Sequence, residues 1–378
     1  MIPDARRVRD LHAKMIDRLV ERGYITTARV EEAFRAVPRH PFVPGVSLEQ
    51  VYSGDAIVTR SGRDGMPTSS SSEPAIMAVM IEQLGPAPGD RVLEVGAGTG
   101  YNAAILAFLA GDEGAVVTVD LDEEIVREAR EHLHRAGVAQ VDVVAADGWA
   151  GMAAGAPHDR IEVTVGVSDL SPHWVDQLRE GGVLLVPLWL RGGLQASIAF
   201  RREGQRLRST SVEPCGFMRL RGAHAGPEGY VTVNGWCASL EEVSAAAATL
   251  GDLLRRTPRA VPAPDLPRGW FTRLALEEPA AIMLSGVPDW HRSMAGIFDA
   301  AGRSLAVVDG QTIMSFGGDE ALVRLRERLT GLRPLDLRAL RVEATPAGQP
   351  VRGKTWVLRR RHFQFAIDEG TAPVASEP

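Results

Sequence analysis

The sequence predicts an α/β protein in which helices cover both faces of a parallel sheet, followed by a smaller α+β domain. Three observations predict this fold class. Strands and helices alternate from about residue 91 to residue 187, which is the order typical of a parallel sheet. A short apolar strand, 91–95, runs directly into a glycine-rich turn and a helix. A proline-rich segment, 257–268, then indicates a domain boundary.

Length and composition are those of an ordinary folded protein. The chain has 378 residues, of which 45% are hydrophobic and 24% charged, so about two to three domains are expected. The net charge of −6 provides no overall positive field, which argues against nucleic acid as a partner. The longest apolar run, Val183 to Leu190, is far shorter than the roughly 20 residues that span a bilayer. We therefore expect no membrane anchor or membrane partner.

The two cysteines, Cys215 and Cys237, are too few for a disulfide framework and are not spaced like metal ligands. The sequence therefore predicts no metal site and a location in the reducing cytoplasm.

The first part of the chain is predicted to begin with helices and then to alternate strands and helices. Apolar residues at helical spacing predict helices over 5–22 and 27–36, a long irregular loop follows over 51–72, and a helix is predicted from 73 to 84. The alternating region then comprises strands at 91–95, 115–119, 141–145, 160–165 and 183–187, helices at 101–109, 123–136 and 174–178, and a closing strand pair at 194–201 and 206–214.

The remainder of the chain predicts a second domain. A helix is expected over 239–256, and the C-terminal strands are expected at 280–284, 295–298, 304–308, 312–316, 340–344 and within 355–367, with a helix at 319–329. The predicted organisation is therefore a first domain (1–222), a helical and proline-rich linker (223–268), a C-terminal α+β domain (269–369) and a disordered tail (370–378).

The glycine-rich turn is the strongest chemical signal. Gly96, Gly98 and Gly100 alternate directly after a strand and before a helix, so backbone approaches a ligand where side chains are missing. Asp120 ends the next predicted strand, where an α/β sheet places an acid for ribose hydroxyls. A nucleoside-type cofactor is expected.

The run Val92 to Gly100 (VLEVGAGTG) resembles the first motif of class I S-adenosylmethionine-dependent methyltransferases, which have a Rossmann-like fold. The resemblance implies S-adenosyl-L-methionine as the cofactor, and the carboxylate of Glu94 is placed to attract its amino group. Two alternatives remain: a Rossmann turn for another nucleotide, and a Glu94 that is only a solvated strand end.

Further motifs resemble the protein-L-isoaspartate O-methyltransferase family over about residues 9–222. The segments that carry the resemblance are Leu19–Gly23 (LVERG), Val30–Pro44 (VEEAFRAVPRHPFVP), Tyr52 with Asp55, Ser72–Met77 (SEPAIM), Asp147-Gly148, Asp176–Gly182 (DQLREGG) with Pro187, and Phe217–Gly222 (FMRLRG). The resemblance implies that Ser72 is the active-site serine and that Asp120 and Asp147, the latter with Gly148, hold the ribose and adenine of the cofactor. Ser71 is a further candidate for substrate binding. The alternative for Ser72 is a helix cap, because Ser70 and Glu73 have capping-box spacing.

Two segments depart from the family pattern. Where many members have Thr-Ile-Ser-x-Pro-His, this chain has Thr68–Ala75 (TSSSSEPA), without the histidine. Asp169 adds a charge beside the expected acceptor, either as a substrate contact or as a solvated loop residue.

The family's acceptor is a carboxylate, so the expected activity is methylation of an aspartyl or isoaspartyl side chain in a peptide or protein, followed by closure to succinimide (aspartimide) and hydrolysis to isoaspartate. About 156 residues follow Gly222, which resembles the extended homologues that modify ribosomally synthesised peptide precursors. We expect a dedicated precursor as the acceptor, with general protein repair as the alternative. The C-terminal domain would then recognise the peptide, and the alternatives are dimerisation, which would make the chain a homo-oligomer, or simple stabilisation. Two other classes remain open: a small-molecule methyltransferase and a non-catalytic, cofactor-sensing adaptor.

Overall fold

The structure is a computed structural model that describes residues 5–62, 65–226, 229–240, 243–287, 292–351 and 355–370. Two compact units divide the chain. The first comprises residues 1–166, 170–187 and 197–224, and the second comprises residues 167–169, 188–196 and 225–378. Of the tail predicted to be disordered, residues 371–378 lie outside the described residues.

The first unit begins with helices and then alternates strands and helices. Its helices are α1 (Ala5–Glu21), α2 (Ala28–Ala36), α3 (Leu48–Val51), α4 (Pro74–Leu84), α5 (Tyr101–Ala110), α6 (Glu123–Arg135) and α7 (Pro172–Gln177). Its strands are β1 (Ile57–Ser61), β2 (Pro67–Ser71), β3 (Arg91–Val95), β4 (Ala115–Asp120), β5 (Val141–Ala145), β6 (His158–Val163), β7 (Leu178–Trp189), β8 (Gln195–Glu203) and β9 (Arg206–Pro214), with the end of β7 and the start of β8 assigned to the second unit.

The sheet of the first unit has the strand order β9-β8-β7-β6-β3-β4-β5. Strand β3 pairs in parallel with both β4 and β6, β4 pairs in parallel with β5, and β6 with β7. The chain therefore builds outward from β3 in both directions, and its carboxyl end is the topological switch point where α/β sheets bind ligands. The predicted α/β fold with a parallel sheet is confirmed.

The burial and capping of the helices agree with their sequences. Helix α5 (YNAAILAFLA) is apolar on nearly every side and almost wholly buried, as expected of a helix inside the protein. Helix α6 is amphipathic, buries Ile125, Ala129 and Leu133, and is capped by the side chain of Asp122. The N-terminal helices contribute Met15 and Phe34 to the same core as α4 and α5.

The segment 51–72, predicted to be a long loop, contains a β-hairpin instead. Strands β1 and β2 pair antiparallel, with Ile57 opposite Ser71 and a register irregularity after Val58. The apolar alternation that identifies strands is missing because β2 is Pro-Thr-Ser-Ser-Ser. Its alternate positions Ser69 and Ser71 are buried, but they are polar and give no hydrophobic pattern.

The second unit is built mainly from strands. It contains helices α8 (Val243–Leu254), α9 (Trp270–Glu277) and α10 (Glu320–Leu329), and strands β10 (Gly229–Val233), β11 (Trp236–Leu240), β12 (Arg259–Pro262), β13 (Ala281–Gly286), β14 (Ser293–Asp299), β15 (Ser304–Asp309), β16 (Thr312–Gly317), β17 (Leu340–Pro346), β18 (Trp356–Arg359) and β19 (Phe363–Glu369). Helix α9 was not predicted.

Seven strands of this unit form an antiparallel sheet in the order β10-β11-β13-β14-β15-β16-β12. Its two faces bury different clusters because successive side chains of a strand alternate. In β15, Leu305 and Val307 pack with residues of α8, whereas Ala306 and Val308 pack with residues of α9 and α10. Strands β17, β19 and β18 pair antiparallel beside one another in that order.

Residues 223–268, predicted to form a helical and proline-rich linker, contribute β10, β11, α8 and β12 to this sheet and its cover. Strands β10 and β11 are joined by Asn234 and Gly235, both with positive φ, 48° and 76°. An Asn-Gly pair with two positive φ values is the preferred two-residue hairpin turn. That dipeptide was the available signal for the hairpin.

Among the described residues, no helix combines the length and the apolar character that crossing a membrane requires.

A buried carboxylate fastens α10 in the second unit. Glu278 has no exposed surface, and its oxygens accept hydrogen bonds from Arg324 at 2.5 and 2.9 Å, from Arg328 at 3.2 Å and from the Ala280 N–H at 3.0 Å. Charge-assisted bonds of this kind are stronger than neutral ones.

We predict that Glu278→Ala lowers the local stability of the second unit by about 2 kcal/mol, because several charge-assisted bonds are lost together. Hydrogen exchange of the β13 and β14 amides measures this effect. The control is Glu277→Ala, whose exposed ion pair with Arg273 at 3.4 Å is worth less than about 0.5 kcal/mol. Equal protection in the two variants would contradict the assignment.

Candidate cofactor and acceptor site

A cavity of about 350 Å³ lies in the first unit at the carboxyl ends of β3, β4 and β6. This volume is within the range of small-molecule sites. The cavity is lined by the end of β2 and start of α4 (Thr68–Glu73, Ile76, Met77, Met80), the glycine turn (Val95–Thr99, with Glu94, Tyr101 and Asn102), the ends of β4, β5 and β6 (Val119–Leu121, Asp147, Gly148, Glu162, Thr164, Val165), and the segment Pro214–Arg221, together with Ala56 and Ile125.

The glycine turn forms one wall by bringing bare backbone to the cavity. Gly96, Gly98 and Gly100 have φ values of 109°, 50° and 82°, in the left-handed region that favours glycine. A Cβ on Gly96 would lie 2.5 Å from the Thr164 Oγ1, and one on Gly98 would lie 3.4 Å from the carbonyl oxygen of Ser70. The turn therefore requires glycine for both its conformation and its spacing, as a cradle for a nucleoside cofactor does.

The two predicted ribose and adenine residues lie at neighbouring strand ends. The carboxylate of Asp120 accepts hydrogen bonds from the N–H groups of Gly98 at 3.4 Å and Asp122 at 3.1 Å. The carboxylate of Asp147 accepts from the Trp149 N–H at 3.0 Å. A Cβ on Gly148 would lie 2.4 Å from the Val95 side chain, so this position packs closely on β3. All three predicted residues line the same cavity.

Glu94 is deeply buried, not a solvated strand end. Its carboxylate has no exposed surface and accepts hydrogen bonds from the Thr118 hydroxyl at 2.5 Å and the Asn102 amide at 2.8 Å. The same amide nitrogen donates to Glu162 at 2.9 Å. Glu162 was missed in the sequence, where it is one of several charged or polar residues of β6 (HDRIEV).

Both carboxyl groups are strongly affected by burial. Removal from water raises the pKa of Glu94 to about 8, with a further upward contribution from the charge of Glu162, while the bonds from Thr118 and Asn102 oppose the shift. Burial also raises the pKa of Glu162. The pair therefore favours a protonated form at neutral pH.

Another side of the cavity is the end of β2, where Ser71 and Ser72 lie. Arg39 is completely buried, and its guanidinium donates to the carbonyls of Ser71 at 3.1 Å and Ser72 at 2.9 Å. It also donates to the carbonyls of Val51 and Asp55, at 2.9 and 3.1 Å. Arg39, which the sequence analysis did not select, thus fixes the backbone that presents Ser72.

The two serines differ in what their side chains do. The Ser71 hydroxyl is buried and accepts from the Arg39 Nε at 3.3 Å, which ties it to the scaffold. Helix α4 has Glu73 at its N-cap and no side-chain capping bond, so the helix-capping alternative for Ser72 is wrong. Ser72 is partly exposed and lines the cavity.

Tyr101 was also missed. Its ring packs against Phe42, with ring centroids 5.4 Å apart, and its buried hydroxyl has no hydrogen-bond partner among the residues that the structure describes. A buried unsatisfied hydroxyl is unusual in proteins. Because Tyr101 lines the cavity, the hydroxyl is a candidate polar contact for a ligand.

The expected substrate contact of Asp169 is not supported by its position. Asp169 belongs to the second unit, where its carboxylate accepts the N–H groups of His362 at 2.7 Å and Phe363 at 3.1 Å. Both oxygens are therefore engaged in holding the turn before β19, a role that local sequence does not reveal.

The described residues contain no cluster of three or more His, Cys, Asp or Glu side chains placed to hold a metal ion.

We predict that Glu162→Gln raises stability more at high pH than at low pH. A carboxyl whose pKa is raised by folding binds a proton that the unfolded chain has already lost, so stability falls as pH rises from about 5 to about 8. The variant lacks this penalty, and its melting temperature should exceed that of the wild type at about pH 8 by the equivalent of about 1–2 kcal/mol. Glu32→Gln, on the exposed surface, is the control. A difference in melting temperature between Glu162→Gln and the wild type that does not change with pH would contradict the protonation assigned to Glu162.

Comparison with known proteins points to one family. The protein-L-isoaspartate(D-aspartate) O-methyltransferase family matches residues 10–225, more than half of the chain. The chain is 35% identical over 223 residues to the protein-L-isoaspartate O-methyltransferase of Methanopyrus kandleri, covering 59% of this chain and 96% of that protein. It is 39% identical over 169 residues to the Thermotoga maritima protein of the same name, covering 44% of this chain and about half (53%) of that protein.

A solved structure of a protein-L-isoaspartate O-methyltransferase is similar over more of the chain. It has 25% sequence identity and a TM-score of 0.53, and the alignment covers 88% of this chain and 96% of that structure. The similarity therefore extends beyond the residues that match the family.

Proposed function

Since the chain belongs to the protein-L-isoaspartate(D-aspartate) O-methyltransferase family, we propose that its cavity binds S-adenosyl-L-methionine and methylates the side-chain carboxylate of an aspartyl or isoaspartyl residue in a peptide. One observation carries the proposal: a single cavity is lined by both the glycine turn and Ser72. The small-molecule and non-catalytic alternatives have no comparable observation in their favour.

The residues present fit the cofactor. Gly96, Gly98 and Gly100 form a cradle that a Cβ would fill or distort, and Asp120 and Asp147 offer acceptor oxygens for the ribose and the adenine. Glu94 provides negative charge for the amino group. When bound, S-adenosyl-L-methionine supplies an electrophilic sulfonium methyl group.

The acceptor needs no strong general base. An aspartyl carboxyl has an unperturbed pKa of about 3.9, so it is ionised at neutral pH. Its oxygen forms a bond to the methyl carbon as the methyl–sulfur bond breaks, and the sulfur keeps the electron pair of that bond. The protein must align the two atoms and exclude water, and alignment alone is worth several kcal/mol.

Ser72 and Arg39 share the task of alignment. The Ser72 hydroxyl donates a hydrogen bond to the acceptor carboxylate, while Arg39 holds the Ser72 backbone from behind through its bond to the carbonyl, at 2.9 Å. The buried charge of Arg39 also favours an anion on this side of the cavity.

The ester then reacts without further catalysis. The backbone nitrogen of the residue that follows the ester attacks its carbonyl carbon and methanol leaves, which closes the succinimide ring. Hydrolysis of the ring gives aspartate or isoaspartate.

We further propose that the acceptor is a dedicated precursor peptide, with general repair as the alternative. Two features support this proposal. The first is the departure at Thr68–Ala75, where the exposed Glu73 lines the cavity. The second is the second unit, which lies after His224 except for residues 167–169 and 188–196. A peptide would bind to this unit by adding a strand to an exposed sheet edge. The free cysteines fit action in the cytoplasm.

We predict that Ser72→Ala reduces methyl transfer at least about tenfold, the cost of about one good hydrogen bond to a charged acceptor, while the affinity for S-adenosyl-L-homocysteine changes less than about twofold. The assay is transfer of a labelled methyl group to the acceptor peptide that the wild type methylates, either the precursor or an isoaspartyl peptide, beside calorimetric titration of the cofactor product. Ser61→Ala, an exposed serine of the same hairpin, is the control. Equal transfer by Ser72→Ala and wild type would remove Ser72 from the mechanism.

Mass spectrometry separates the two acceptor classes. The enzyme and S-adenosyl-L-methionine are incubated with a generic isoaspartyl peptide and with any precursor peptide encoded beside the gene. Methyl gain or water loss on the precursor alone is expected. Turnover of the generic peptide would instead support repair, and failure on both would overturn the carboxyl acceptor.

A further inference from the structure

Glu94 and Glu162 form a pair of carboxyl groups on adjacent strands. The two residues lie opposite each other in the parallel register of β3 and β6, so their side chains point to the same face of the sheet. Each has at most 1% of its surface exposed. One amide nitrogen, the Asn102 Nδ2, donates to both, at 2.8 and 2.9 Å. The bonded oxygens therefore lie within about 6 Å of each other.

In the described part of the chain, the ion pairs near this site include none to Glu94 or Glu162: Arg221, which lines the same cavity, pairs with the neighbouring Asp120 at 3.9 Å. Strand β4 contributes the Thr118 hydroxyl and a third acid, Asp120. Helix α5 contributes the neutral amide of Asn102. On β7 the residue opposite Glu162 is Leu185.

Among the described residues, no arginine, lysine or histidine forms an ion pair with either carboxylate. Two buried, unpaired like charges at this separation are too costly to be ionised together. In the protein without a bound ligand, the carboxyl pair therefore keeps one proton.

Both carboxyl groups also line the cavity. We propose that Glu94 and Glu162 form a dicarboxyl subsite for the ammonium group of the cofactor's amino-acid end, and that the proton held by the pair leaves to solvent when the ammonium binds. The inference rests on the proposed function, because it takes S-adenosyl-L-methionine as the ligand. It adds two features to the proposed function. Glu162, which no motif selects, takes part in binding the ammonium group, and binding releases one proton.

The sign of the coupling follows from the charges. The ammonium stabilises the ionised pair, so the proton is bound more weakly in the complex than in the free protein. Cofactor affinity therefore rises with pH, by up to about tenfold per pH unit while the free pair is protonated, and levels off above that range. The methyl-transfer step itself involves no proton.

Isothermal titration calorimetry of the full chain tests the proposal. S-adenosyl-L-homocysteine is titrated between about pH 6 and about pH 8 in two buffers of different ionisation enthalpy, and the difference in heat gives the number of protons released. We expect a release that approaches one proton at the acidic end. 5′-Methylthioadenosine, which has the nucleoside but no amino-acid end, should release none.

The variant that carries the test is Glu162→Gln, which keeps shape and removes one charge. Without its neighbour's charge, Glu94 ionises more readily, so proton release should be lower than in the wild type at the same pH and affinity should vary less with pH. Glu32→Gln is the surface control. Melting temperatures establish that each variant is folded.

The outcomes separate this inference from the proposed function. Binding of S-adenosyl-L-homocysteine without proton release, or with equal release in wild type and Glu162→Gln, overturns the dicarboxyl subsite and leaves the methyltransferase proposal intact. Release with 5′-methylthioadenosine also overturns it, because the ammonium would not be the cause. Failure of every adenosyl compound to bind overturns both.

Discussion

The end of β2, which presents Ser72 to the cavity, depends on one buried guanidinium. Arg39 has no exposed surface and directs its N–H groups to backbone carbonyls at the end of α3, before β1 and at the end of β2. Burial lowers the pKa of its guanidinium, yet nearby tyrosines and acids oppose that shift. A charge taken out of water is tolerated only when it is fully hydrogen-bonded. Arg39 therefore joins the end of α3, the start of the β1–β2 hairpin and the end of that hairpin, and the position of Ser72 follows from it.

The cavity contains both kinds of charge. Arg39 lies buried behind the serines, Glu94, Asp120 and Glu162 supply carboxyl groups at neighbouring strands, and Arg219 and Arg221 also line the cavity, with Arg221 paired to Asp120 at 3.9 Å. The proposed reaction places a negatively charged acceptor beside the serines and a positively charged methyl donor beside the carboxyl groups. The buried carboxyl groups lower the stability of the empty protein, which is a common cost of a site prepared for charge.

The sequence was most informative where local geometry demands a particular residue. The glycine turn and Asp120 were predictable because glycine is required at positive φ and acids recur at strand ends. Arg39 and Tyr101 were not selected, because their roles depend on segments far apart in the chain. The hairpin β1–β2 was missed because its serines give no apolar alternation, and β10–β11 because the Asn-Gly turn was overlooked. The hydrogen bonds of Asp169 were not predictable, because its partners are backbone groups some 190 residues away.

The boundary between the units has a consequence for how this protein is divided, either in the laboratory or in evolution. Residues 167–169 and 188–196 belong to the second unit although they precede the end of the first. A fragment that stops at His224 would keep these two segments and lose their partners, leaving Asp169 without the N–H groups that it accepts. The two units are therefore interleaved along the chain, so that no single cut separates them.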